Sequence, residues 1–278
     1  MKMVIGNWKM NGNIDLLHSI VPTLLHEGLG SAVALCLPYP YLSAAHSLLK
    51  AARSQIKLGA QNVSEHPFGG YTGEISAAML KEFGCRLVLV GHPERRSLFG
   101  ETREVTAGKL HAALGAGLYP VYCVGETLAQ REGGLARQAM VDELALLAGV
   151  PTDRYAVAYE PSWAIGGGVT ATSADINDMH LFIKDVLGPG TRVLYGGSVK
   201  SHNAGQVLGL DSVDGVLVGN AALSASEFLS ICHTANRCAH GEPIELLKKP
   251  RAGLIDTDGP SHHLPGMPSI DSPFWREF

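Results

Sequence analysis

Eight short apolar runs limit the folds open to this chain more than any other feature. They are MVIGN (3–7), AVALCL (32–37), IKLGA (56–60), RLVLV (86–90), LYPVYCV (118–124), RYAVAYE (154–160), RVLYG (192–196) and VDGVLV (213–218). Several are continuously apolar rather than alternating, as parallel strands are when both faces of their sheet are covered. Between them lie stretches of helical period, among them IDLLHSIVPTLLHE (14–27), EVTAGKLHAALGAG (104–117) and RQAMVDELALLAG (137–149). Ser173 stands where an N-cap belongs before ADINDMHLFIKDVL, and Gly188 stands where that helix should stop. Eight strands alternating with helices predict an α/β protein built as a closed (β/α)8 barrel. A doubly wound open sheet usually has fewer strands and some antiparallel edge.

The chain has 278 residues, and such barrels reach ~250 residues as one domain. The pattern predicts a single barrel domain over 1–232. Residues 233–278, rich in Pro, Gly, His and charge without periodicity, are expected to form an irregular C-terminal extension. Cys232, His233, Cys238 and His240 match no standard zinc spacing, so no metal is expected there. The formal net charge is -4, and without a basic block neither nucleic acid nor a membrane surface is an expected partner. No apolar run reaches the ~20 residues that span a bilayer. MKMVIGNWKM meets tryptophan and lysine too early for a signal peptide. The 5 cysteines are odd in number and form no CxxC, a usage that fits buried reduced thiols and a cytoplasmic location.

Barrels of this kind carry their chemistry at the C-terminal ends of the strands. The first run ends in Asn7 and Lys9, two apart, which alternation would point the same way. The fourth ends in Gly91 and His92, and the sixth in Glu160. The seventh ends in Gly196, Gly197 and Ser198, and the eighth in Gly219 and Asn220. Taken singly, these read as a surface lysine, a capping histidine, a solvated acid and turn glycines. Together they bring a lysine, a histidine and a glutamate to one mouth, beside glycine-rich loops whose backbone N–H groups can approach an anion. In AYEPSWAIGGGVTA (158–171), Glu160 precedes Pro161, Trp163 and Gly166, Gly167 and Gly168, the makings of a catalytic base beside a closing lid.

Seven collinear motifs carry a resemblance. NWKMNG (7–12), AQN (60–62), TGEIS (72–76), GHPERR (91–96), AYEPSWAIG (158–166), YGGSV (195–199) and DGVLVGNAAL (214–223) make the chain similar to the triose-phosphate isomerase family over residues 1 to about 232. The resemblance implies a TIM barrel that interconverts dihydroxyacetone phosphate and glyceraldehyde 3-phosphate through an enediolate, in glycolysis and gluconeogenesis, with no cofactor and no metal. It implies Glu160 as proton acceptor, His92 as an electrophile kept neutral by a following helix N-terminus, and Lys9 as fixed positive charge. The glutamate–histidine pairing is the family's established pattern rather than a reading of this chain. Asn7, Lys9, Gly166, Ser198, Gly219 and Asn220 are implied as substrate-binding residues. Closure of 161–171 would exclude water and hinder phosphate loss. A homodimer is implied through the long 60–76 loop, with Thr72 reaching towards the partner's mouth.

Within that resemblance the chain departs from the family at several points. Pro93 stands where serine is usual, Ser162 where an apolar residue is usual, Gly167 for threonine, Val169 for lysine and Asn220 for glycine. None of these is a proton-transfer group, so they bear on lid motion, rate and substrate length. Two alternatives follow: an isomerase of four-carbon sugar phosphates, which would keep Lys9, His92 and Glu160 and differ in the lid, and a non-catalytic phosphometabolite-binding barrel, which would have lost at least one of the three.

Overall fold

The structure, a computed structural model, describes residues 2–30, 32–164 and 171–240. Strands β1 (Met3–Asn7), β2 (Val33–Leu37), β3 (Lys57–Ala60), β4 (Cys85–Val90), β5 (Tyr119–Val124), β6 (Ala156–Tyr159), β7 (Arg192–Tyr195) and β8 (Gly215–Val218) are all parallel. They close into a barrel in chain order, with β8 paired to β1. One or two α-helices follow every strand. The closed barrel, not the open sheet, is therefore the fold.

The strands are apolar throughout because both faces are buried, and alternation sorts their side chains into two layers. Ile5, Cys36, Leu89, Cys123, Ala158, Leu194 and Leu217 belong to the inner cluster. Their neighbours Val4, Leu35, Val88, Tyr122, Val157, Val193 and Val216 belong to the outer one, packed with the helices. Burying one such aliphatic side chain contributes roughly 1.5–3 kcal/mol, so the two layers give the mouth a firm base. Extending the inward parity reaches Asn7 at the end of β1 and Gly91, Glu160, Gly196 and Gly219 just past β4, β6, β7 and β8. The pleat that fills the barrel thus delivers the rim of the site.

Two sequence expectations shift. Thr172, not Ser173, caps the helix Ser173–Leu187: its hydroxyl accepts the Asp175 N–H while the Asp175 side chain accepts the Thr172 N–H. That reciprocal box needs an acid three residues after the cap, which Thr172 has and Ser173 lacks. Gly188, at φ 105°, ends the helix as expected. Residues 233–239, expected to open an irregular extension, instead complete the helix Ala225–Ala239. Phe228, Ile231, Cys232 and Ala235 are buried at helical spacing, and this apolar face holds the helix beyond residue 232. Residues 241–278 lie outside the described residues.

Candidate active site

At the C-terminal rim lies a cavity of about 430 Å³, lined by Lys9, Glu160, Ser198, Gly219 and Asn220 among others. Five of the expected site residues are thereby brought together. His92 is buried just behind them and touches Glu160. Asn7 is buried beneath Lys9 and does not line the cavity. Gly166, with Gly167, Gly168 and Val169, lies outside the described residues.

Lys9 reaches the mouth by a route that strand alternation does not supply. β1 ends at Asn7, and Lys9 adopts φ 53°, a left-handed conformation costing a side-chain-bearing residue roughly 1–2 kcal/mol. Its neighbours fix that backbone: Asn7 Oδ1 accepts the Lys9 N–H at 3.0 Å, and Gln61 Nε2 donates to the Lys9 and Cys36 carbonyls, each at 3.0 Å. The ammonium of Lys9 pairs with Glu94.

His92 caps the helix Pro93–Phe99, with Pro93 preset for the first helical position. Its Nδ1 accepts the Glu94 N–H at 3.2 Å, which places the proton of a neutral imidazole on Nε2. That atom stands 3.3 Å from Glu160 Oε2. Burial opposes a charge on His92, but the adjacent Glu160 carboxylate and its hydrogen bond outweigh burial and hold the pKa above its ordinary value. The helix cap works the other way, since a proton on Nδ1 would point at the Glu94 amide hydrogen.

Glu160 follows β6 on the inward side, and its N–H is held by the Val124 carbonyl at 2.7 Å. Among the described residues its Oε1 is buried without a partner. The carboxylate lies so close to β7 that a Cβ on Gly196 would stand 2.3 Å from Glu160 Cγ. Gly196 is therefore a space requirement of the base, where the sequence suggested only a loop open to anions. Beneath it, the Cys123 thiol is pushed well up by burial and by the neighbouring Glu160, which leaves it an inert filler.

A second buried carboxylate, Glu126, was not singled out from the sequence, yet it ties down the segment after Glu160. Its Oε1 accepts from Tyr159 Oη at 3.0 Å and Trp163 Nε1 at 2.9 Å, and meets Arg131 Nη1 at 3.1 Å. Its carbonyl accepts both the N–H (3.1 Å) and the hydroxyl (2.9 Å) of Ser162. Arg131 stacks 4.7 Å from the Trp163 ring centroid and also pairs with Asp175, the capping acid at residue 172. The chain before residue 165 and the chain after residue 170 thus share one arginine. Glu94 and Gln61 were visible inside GHPERR and AQN without an assigned role. Glu126 had no local signal, because its partners come from residues 131, 159, 162 and 163.

A buried carboxylate facing an imidazole N–H, a lysine ammonium and a rim of backbone amides suits proton transfer beside a carbonyl in an anionic ligand. Comparison with known proteins agrees. The family model described as triosephosphate isomerase matches residues 2–235. The triosephosphate isomerase of Dechloromonas aromatica is 47% identical over 249 residues, covering 84% of this chain and 99% of that one. That of Azoarcus sp. is 46% identical over 243 residues, with 84% and 99% covered. The crystal structure of triosephosphate isomerase from Bartonella henselae is 38% identical, with a TM-score of 0.76 over 84% of this chain and 99% of that one. On the barrel, the mouth and this match along nearly the whole described chain, the protein belongs to the triosephosphate isomerase family.

Proposed function

We propose that the chain interconverts dihydroxyacetone phosphate and glyceraldehyde 3-phosphate, with Glu160, His92 and Lys9 as its catalytic residues. The observation that carries this reading is the contact of 3.3 Å between His92 Nε2 and Glu160 Oε2. Substrate entering between them takes over the Nε2–H at its carbonyl oxygen. Glu160 removes a proton from the carbon next to that carbonyl, and the electron pair moves to the oxygen to give an enediolate. Passing the adjacent hydroxyl proton to that oxygen and returning the carbon proton to the neighbouring carbon completes the isomerisation, with nothing gained or lost overall. Once substrate separates the pair, burial and the helix cap favour neutral His92, whose N–H is a matched donor for a weakly acidic enediolate. Lys9 contributes positive charge when it leaves Glu94, and the amides of Ser198, Gly219 and Asn220 are proposed to take the phosphate.

A homodimer belongs to the same reading. Phe68 and Met10 are 83% and 96% exposed, apolar side chains that a second copy would cover. The 60–76 loop that carries Phe68 is closed by the Ser64 N–H on the Ile75 carbonyl at 2.8 Å, and His66 stacks on Tyr71 at 3.8 Å. A cytoplasmic location fits five free cysteines, four of them buried. The division into a barrel and a C-terminal extension is proposed likewise, the extension now starting after the helix Ala225–Ala239.

Initial rates of the full chain with dihydroxyacetone phosphate and with erythrulose phosphate test the function. A higher kcat/KM for the three-carbon substrate is expected. A preference for the four-carbon substrate, or turnover of neither, overturns the proposal.

A further inference from the structure

At the opposite end of the barrel, where β3 and β4 begin, lies a second cleft of about 720 Å³. Lys50, Arg53, Lys57 and Arg86 line it beside His46, and among the described residues no carboxylate does. Among the described residues none of these four cations lies in an ion pair. The catalytic cavity, by contrast, balances Lys9 and Lys200 against Glu94 and Glu160, and the whole chain is formally -4. Four unopposed cations around one concavity therefore run against the protein's average. Leu49, Ile56 and Leu58 supply its apolar lining.

The backbone supports a use for this cluster. Arg53 sits just past the helix Tyr39–Ala51 at φ 49°. It closes the helix by donating its N–H to the Lys50 carbonyl at 3.0 Å, while the Ser54 N–H meets the Leu49 carbonyl at 2.9 Å. Glycine is the usual residue at such a left-handed stop. An arginine there bears strain that glycine would not, and Arg53 is one of the residues lining the cleft. His46 is also seated specifically. Its Nδ1–H donates to the Phe83 carbonyl at 2.9 Å, in space that a Cβ on Gly84 would occupy, 1.7 Å from that nitrogen.

We propose that this cleft is a second anion site, taking a compact polyanion with two or more linked phosphoryl groups. Its volume lies within the ~300–1,000 Å³ usual for small-molecule sites. Four cations exceed what one dianionic phosphate needs, and two arginines offer the planar forks that suit phosphoryl oxygens.

The test is calorimetric titration of the full chain with inorganic tripolyphosphate while triose phosphates saturate the catalytic mouth. One tripolyphosphate per chain is expected, bound at least tenfold more tightly than orthophosphate and weakened by added salt. Arg53→Gly combined with Arg86→Gln is expected to weaken it at least tenfold and leave turnover unchanged. Arg53→Gly alone relieves backbone strain, so its Tm should rise by a few degrees, which separates loss of the site from damage to the fold. No binding, competition by triose phosphates, equal affinity for orthophosphate or indifference to the double substitution would each overturn the proposal.

Discussion

His92 and Glu160 meet edge to edge, Nε2 to Oε2 at 3.3 Å, while the other imidazole nitrogen is occupied by the Glu94 amide. Only one imidazole N–H is therefore free in the neutral ring, and without substrate it rests on the proposed base. The two groups occupy each other until a substrate carbonyl separates them. Both are buried, so water does not compete for their contact in the meantime.

Replacing the base tests that division of labour. Glu160→Gln keeps size and shape, so the affinity for an unreactive substrate analogue should change less than about threefold, while kcat falls by ~10²–10⁴, the usual contribution of a positioned general base. Binding and steady-state rates measured side by side decide it. Equal loss of both would make Glu160 a structural acid.

Much of this arrangement could be read from the sequence because barrel geometry converts chain order into position. The run AVAYE carries Ala156, Ala158 and Glu160 on one parity, so a buried strand of ordinary apolar residues announces where its terminal carboxylate points. Lys9 lines the cavity, but not through the alternation that the sequence suggests. Its approach depends on a left-handed backbone held by Gln61, from a distant part of the chain, and no period-two pattern encodes that. The Glu126 network was invisible for the same physical cause, since its donors converge only after β5 and β6 pair. Helix ends differ from the sequence reading by one to several residues where a reciprocal cap or an apolar face, rather than composition, sets the boundary.

Gly196→Ala examines the space around the base. The added methyl carbon would fall 2.3 Å from Glu160 Cγ and 2.9 Å from its carboxyl carbon, so the carboxylate must move. Overpacking of this kind costs ~1–3 kcal/mol of stability, and a displaced base should lower kcat at least tenfold, since small errors in placement are costly in proton transfer. Urea unfolding and kcat together report it. An unchanged kcat would show that Glu160 already works from a different position.

His180 gives the fold an acid limit. It is fully buried, with Nδ1 at 3.3 Å from the Ser212 carbonyl and its ring edge-on to Tyr159. Burial, only partly offset by that hydrogen bond, drives its pKa from 6.5 down to about 3. Because the folded pKa is depressed, the unfolded chain binds a proton that the native chain refuses between those values. Stability is therefore complete above about pH 6.5 and falls, from this group, by ~1.4 kcal/mol per pH unit below it. Chemical unfolding at fixed protein concentration should show His180→Phe losing that much less than the parent between pH 6 and 5. Parallel losses in the two proteins would assign the acid sensitivity to other groups.

Pro93 offers the test closest to the chemistry. It lines the same cavity as Glu160, whose Oε1 is buried without a hydrogen-bond donor among the described residues, and proline has no hydroxyl to offer. A serine there would still suit the start of the helix Pro93–Phe99. Its hydroxyl would bring two opposed effects: one more bond to break as substrate enters, and a carboxylate held closer to one orientation. The second should win, because a base with a single donor at one oxygen can pivot about it and miss the near-attack geometry. Pro93→Ser is therefore expected to raise kcat severalfold, or ~1 kcal/mol of barrier, in a coupled assay with Tm monitored alongside. A lower or unchanged kcat at constant Tm would mean that the His92 contact orients the carboxylate unaided, and that the orphan oxygen is left open for the substrate's proton.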